Sequence, residues 1–159
     1  MKNLNTFKNA PNLVGISGRI GAGWGKDTLA QFIQEIEPSY YEIKKFAGKL
    51  KEVTGILAGV DPIRFEDQEF KKQMSPFGMT YRELLQKVGT EAMRNQIHTD
   101  VWVRALFAEF ISTTWTWSHE LSKPVPDEPR WLITDVRFEN EADAIKERGG
   151  RSEEHTSEL

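Results

Sequence analysis

The chain has 159 residues, enough for one domain with a buried core, and its 21 basic and 24 acidic residues leave a net charge of −3. That balance argues against a nucleic-acid-coating surface or an acidic tail, and the absence of cysteine excludes disulfides and thiolate metal sites. No apolar stretch is long enough to span a membrane and no secretory pattern opens the chain, so the expectation is a soluble, cytoplasmic protein.

Residues 1–11 are polar, and Leu13–Ser17 is a short apolar run suited to a strand buried on both faces. It runs directly into GRIGAGWGKDT over residues 18–28. Successive glycines let backbone N–H groups turn onto an anion, and the helix start that follows adds its positive dipole. Gly18, Gly21, Gly23, Gly25, Lys26, Asp27 and Thr28 are therefore the candidate phosphate-binding residues. Lys26 would reach the outer phosphates and the Thr28 hydroxyl would hold Mg²⁺. The loop is irregular. Counted from Gly18 the usual spacing closes at Gly23, yet Trp24-Gly25 intervene before Lys26, and counted back from Lys26 it meets Ile20 where a glycine is expected. A glycine-rich turn with no ligand is the competing reading.

Beyond the loop, 26–37 predicts a helix with Leu29, Phe32, Ile33 and Ile36 on one stripe, ended by Pro38. Residues 40–46 are strand-like, and 47–58 return to helical period through Leu50, Val53 and Leu57, with Gly59 as the stop. The 61–76 segment is charged and irregular, anchored by Phe65 and Phe70. Thr80-x-x-Glu83 forms a capping box for a helix with Leu84, Leu85, Val88 and Ala92 inward, kinked or broken at Gly89. Arg82 and Gln86 lie four apart on one face of it, with Arg94 two turns further along. Two guanidiniums and an amide could grip a monophosphate and a base edge; a solvated charged face is the plain alternative.

A further amphipathic helix runs from about Asp100 through Val103, Leu106, Phe107 and Phe110. Trp102, Trp115 and Trp117 read as core residues, any one of which could instead stack on a base. Residues 118–129, with three prolines, read as a surface connection. Trp131–Asp135 is a second apolar strand, this one ending in an acid, and Asn140 is placed to cap a short helix stopped by Gly149-Gly150. Strands alternating with helices predict an α/β fold with a parallel sheet covered on both faces, and ligands bind such sheets beyond the carboxyl ends of the strands. Asp135 could then reach Mg²⁺ and Arg137, two residues on, a phosphate, which with Lys26 makes the candidate catalytic set.

Several segments together resemble the deoxynucleoside monophosphate kinases of phages and bacteria: GKDT at 25–28, Phe46-Ala47-x-x-Leu50-Lys51, Thr80-x-Arg82-x-Leu84-Leu85-Gln86, Gly89-Thr90-Glu91-x-x-Arg94, Trp102-Val103, and Ile133-Thr134-Asp135-Val136-Arg137-Phe138-x-Asn140-Glu141. The resemblance spans most of residues 12–150 and implies a three-layer P-loop kinase fold with a helical acceptor-binding insertion. It implies transfer of the γ-phosphoryl of ATP, with Mg²⁺, to a deoxynucleoside 5′-monophosphate. Lys26 and Thr28 would then bind phosphate and metal, Asp135 and Arg137 would face the phosphates, and Arg82, Gln86, Arg94 and Trp102 would stand on the acceptor side. The partners implied are small nucleotides, without nucleic-acid polymer or membrane, and a homodimer stays open. A kinase of another small metabolite and a non-catalytic nucleotide-binding protein remain the alternatives. Residues 151–159, RSEEHTSEL, resemble a translated sequencing adapter, so the expectation is one kinase-like domain over 1–150, cut short after Gly150.

Overall fold

The computed structural model describes residues 11–17, 26–36, 40–110, 114–119, 121–127 and 129–153. They form two compact units, one made by the chain up to Lys44 together with the chain from Phe110 onward, the other by Lys45–Glu109.

The first unit is built on a four-stranded parallel sheet in the order β2-β5-β1-β6. Its strands are β1 (Leu13–Ser17), β2 (Glu42–Lys44), β5 (Trp131–Val136) and β6 (Arg151–Glu153), with helices α1 (Lys26–Ile36) and α5 (Glu139–Glu147). Leu132, Ile133 and Ile145 are fully buried, each contributing about 1.5–3 kcal/mol by leaving water. Four successive buried residues at the start of β5 show a strand covered on both faces, as the unbroken apolar run predicts. From β1 the chain crosses over β5 to reach β2, and from β5 it crosses over β1 to reach β6. Right-handed crossovers running in opposite directions put α1 and α5 on opposite faces, with α1 against β5 and α5 against β1 and β6. The carboxyl ends of β1 and β5 are thus neighbours at the point where the winding reverses.

Gly15 permits the close approach of α5, since a Cβ there would lie 2.5 Å from Ile145 Cδ1. The helix ends as Gly149-Gly150 predicts. Gly149 takes φ +76°, its N–H donates to the Lys146 carbonyl at 2.9 Å, and Gly150 N–H donates to the Ile145 carbonyl at 3.0 Å.

The second unit packs α2 (Phe46–Ala58), α3 (Tyr81–Gln86) and α4 (Val101–Phe107) with two short 3₁₀ turns, Pro62–Glu66 and Phe70–Lys72. Phe65, Phe70, Tyr81, Leu84 and Val88 form its core, with Phe70 stacked on Tyr81 at 4.5 Å. The capping box is present: Glu83 N–H donates to Thr80 Oγ1 at 3.2 Å and Thr80 N–H to Glu83 Oε2 at 2.7 Å. Past Gln86 the winding widens into a π-helical stretch, Lys87–Arg94, so Gly89 loosens the helix without ending it.

Five expectations need correction. Of the α1 stripe, Ile33 packs into the core beside buried Ala30, while Leu29, Phe32 and Ile36 are exposed. The strand expected over 40–46 shrinks to β2, with Phe46 already opening α2. The 118–129 connection is largely a hairpin of β3 (Thr114–Ser118) and β4 (Lys123–Asp127), with Trp115 opposite Pro126 and Trp117 opposite Pro124. Prolines two apart on a ladder share one side, so their missing donors all fall on the outer edge, where a strand tolerates them. Trp115 and Trp117 are 70% and 57% exposed, and so lie outside the core. Finally, α5 opens at Glu139 with Asn140 inside its first turn, and the reach-back contact comes from Glu141.

Candidate functional site

In the first unit the carboxyl ends of β1 and β5 lie side by side. Ser17, the last residue of β1, is in register with Val136, the last of β5. The segment leaving β1 and the turn leaving β5 therefore start side by side. Gly18, Gly21, Gly23 and Gly25 lie outside the described residues. Lys26 and Asp27 form the start of α1, and Thr28 follows them on its exposed surface.

Asp135 is half-buried and Arg137 exposed. The β1–β5 ladder carries an irregularity here: Gly15 pairs with Ile133 but Ser17 with Val136, so β5 has one residue more than β1 over this step. Simple alternation along the strand therefore does not carry through Asp135 to Arg137. What fixes this turn is Glu141. Its side chain is 2% exposed, and its Oε2 accepts the backbone N–H of Arg137 at 2.8 Å and of Phe138 at 3.2 Å. A buried carboxylate in the first turn of α5 also meets the positive end of that helix. The acid three residues beyond Phe138 is the sequence signal for this contact, obscured because the residue in the capping position is not Ser, Thr, Asp or Asn.

In the second unit Arg82 and Gln86 are exposed on α3, as their spacing predicts, and Arg94 is half-buried at the end of the π-helical stretch. The Asn95 N–H bonds five residues back, to the Thr90 carbonyl, so the angular step per residue differs from that of an α-helix. The azimuth of Arg94 relative to Arg82 is consequently one that α-helical counting does not give. Trp102 is 4% exposed, and its indole Nε1–H donates to the Gly89 carbonyl at 3.0 Å. Gly89 also lies against α2, where a Cβ would come within 2.8 Å of Leu50 Cδ2.

Sequence reasoning gave the cations that accompany Arg82 no role in the site. Lys51 Nζ stands 2.6 Å from Glu66 Oε1, and Arg82 Nη2 donates to Gln68 Oε1 at 3.0 Å. The bond from Lys51 holds the Glu66 carboxyl below its ordinary range, aided by Lys45 and Lys71. Burial, then repulsion from Lys51 and Arg82, push the Lys71 ammonium down. At the two ends of this unit, Lys49 reaches both Glu52, at 2.8 Å, and Glu109, contacts that raise its affinity for a proton.

Among the described residues no three His, Cys, Asp or Glu side chains are grouped as a protein metal cage, and no helix is long and apolar enough to cross a membrane. Magnesium bound with a polyphosphate needs only one or two protein oxygens, the rest coming from phosphate and water. A half-buried carboxylate at a strand end and a threonine hydroxyl suit that donor class.

No protein-family model matches the chain. Over 142 residues it is 34% identical to a protein of Acanthamoeba polyphaga mimivirus named "Putative deoxynucleotide monophosphate kinase", an alignment that covers 87% of this chain and 70% of that protein.

Proposed function

As a member of the deoxynucleotide monophosphate kinase family, to which its mimiviral relative belongs, this chain is a nucleotide kinase, and we propose that it moves the γ-phosphoryl of ATP to a deoxynucleoside 5′-monophosphate. The observation that carries the reading is the adjacency of the β1 and β5 ends at the winding reversal, with Ser17 level with Val136. That is where open α/β sheets bind ligands, and it aligns the root of the glycine-rich segment with the Asp135–Arg137 turn.

The proposed roles follow from charge. Gly18, Gly21, Gly23 and Gly25, together with Asp27, would let backbone amides face the phosphates. Lys26 would neutralise the outer phosphates, and Thr28 and Asp135 would hold Mg²⁺ against them. Arg137 would meet charge developing on the transferred group. When bound, the metal supplies positive charge between the phosphate oxygens. Arg82, Gln86 and Arg94 are assigned to the acceptor. Trp102 would act behind them, holding the Gly89 carbonyl and with it the stretch that carries Arg94.

A coupled assay of ADP release across the common deoxynucleoside monophosphates tests the proposal. Turnover is expected with at least one acceptor and is expected to vanish in Lys26→Ala, which should leave the denaturation midpoint unchanged. Silence with every deoxynucleotide but turnover with another small acceptor would replace it with a different metabolite kinase. ATP·Mg²⁺ binding without turnover on any acceptor would leave a nucleotide-binding protein.

A further inference from the structure

The turn between residues 66 and 72 draws together cations from three directions. Its Glu66 holds the ammonium of Lys51 from α2, and its Gln68, two residues later, holds the guanidinium of Arg82 from α3. The Lys71 N–H then donates to the Asp67 carbonyl at 3.2 Å, closing the turn, and the Lys71 ammonium is near enough to Lys51 and Arg82 to be repelled by both. Lys71 is half-buried and forms no ion pair with a carboxylate among the described residues. The neighbouring Lys72 differs: it is exposed and paired with Glu69 at 2.6 Å.

Around the turn, Lys45, Lys51 and Lys71 interact with the Glu66 carboxylate, and Lys71 also with Asp67, while Lys51 and Arg82 repel Lys71. The cations exceed the acids, and Lys71 bears the excess where water is partly excluded. A fold gathers like charges at such a point at a cost, which a bound dianion would reverse. Among the described residues one N–H of Arg82 goes to Gln68, leaving more of its planar fork for an oxyanion, while an ammonium supplies point charge.

We infer that Lys71, with Lys51 and Arg82, forms a seat for the phosphate monoester of the acceptor nucleotide. The inference rests on the kinase reading and adds Lys51 and Lys71 to the acceptor residues. Glu66 is the counter-anion of Lys51, the role a bound phosphate would take over.

Calorimetric titration of the whole chain with inorganic phosphate, with a deoxynucleoside monophosphate and with the matching deoxynucleoside tests it. Lys71→Gln should weaken phosphate and monophosphate by about tenfold or more, the loss of one charge-assisted contact, and leave the nucleoside unaffected. Lys71→Arg should retain binding, and Lys72→Gln should match the parent. Glu66→Gln should tighten inorganic phosphate, because it removes the competing anion; a merely structural Glu66 would give no gain. Equal losses in Lys71→Gln and Lys72→Gln, or weaker phosphate binding in Glu66→Gln, would overturn the seat. The kinase reading fails separately. If every acceptor is silent in the ADP assay while inorganic phosphate follows the expected order of variants, the anion seat holds without the reaction. If turnover proceeds and Lys71→Gln leaves the acceptor KM unchanged, the reaction holds without the seat.

Discussion

Replacing Glu141 tests whether one buried carboxylate holds the turn that presents Arg137. In Glu141→Ala the N–H groups of Arg137 and Phe138 lose an acceptor at 2.8 and 3.2 Å, in a place where the lost side chain was 2% exposed. A hydrogen bond to a charged group contributes about 1.5–3 kcal/mol, and these two are partly buried, so losing the acceptor forfeits a good part of that. The longer bond to Phe138 shares the same oxygen and adds less, so the expected loss is about 3 kcal/mol. For a chain of this size that lowers Tm by about 6–12 °C. Glu141→Gln keeps an acceptor oxygen and the volume, forfeiting only the charge and its interaction with the start of α5, so about 1 kcal/mol is expected. Urea denaturation followed by far-UV circular dichroism gives both values. Should Glu141→Ala unfold within 0.5 kcal/mol of the parent (about the scatter of an ordinary surface change), the carboxylate is not what fixes the turn.

Trp102→Phe should cost about 1–2 kcal/mol in the same experiment, since the buried Gly89 carbonyl loses its indole donor, and should raise the acceptor KM more than it lowers kcat. Gly15→Ala should destabilise by about 1–3 kcal/mol through its contact with Ile145, and adding Ile145→Val should recover part of the loss in a double-mutant cycle. Glu66 and Glu83 are both held below the ordinary carboxylate value, the first by Lys51 and the second by the Thr80 backbone N–H and then the Thr80 hydroxyl, of which Thr80→Ala removes the hydroxyl. The stability they contribute is present above that value and lost as pH falls through the lowered ones. Acid titration of the unfolding free energy should show a limb below pH 4.5 that Thr80→Ala, itself costing about 1 kcal/mol, makes shallower. Lys71 works in the opposite sense. Its proton is held less tightly in the folded chain, so stability should rise with pH toward the ordinary lysine value, and Lys71→Gln should flatten that rise.

Elements whose physics is local were legible in the sequence. Gly149-Gly150 and Gly59 end helices because a left-handed residue must follow the last turn, and Thr80 with Glu83 opens one because two side chains suffice to satisfy the exposed amides. Trp131–Val136 announced a central strand, since both of its faces are covered and the apolar run needs no alternation. The misreadings share a cause, which is that composition does not say what lies opposite. Leu29, Phe32 and Ile36 match a buried stripe as well as Ile33 does, yet only contact with the sheet selects Ile33. The prolines of β4 argued against a strand until the ladder placed them opposite Trp115 and Trp117, where no inward donor is required.

The same distinction runs through the candidate site. Arg82 and Gln86 could be placed on one face because α-helical spacing holds between them; past Gln86 the π-helical winding breaks the rule that would have placed Arg94. Asp135 stood out as an acid at a strand end, but the extra residue in β5 changes where it and Arg137 aim, and that irregularity exists only in the register with β1. Lys71 carried no signal, being one lysine of two in a charged segment. What separates it from Lys72 is that Glu69 pairs with one, while Lys51 and Arg82, recruited from distant helices, crowd the other. Sequence spacing therefore identifies residues whose partners lie within one or two turns. A group made functional by its surplus of charge depends on the sum over neighbours, and that sum is a property of the folded turn alone.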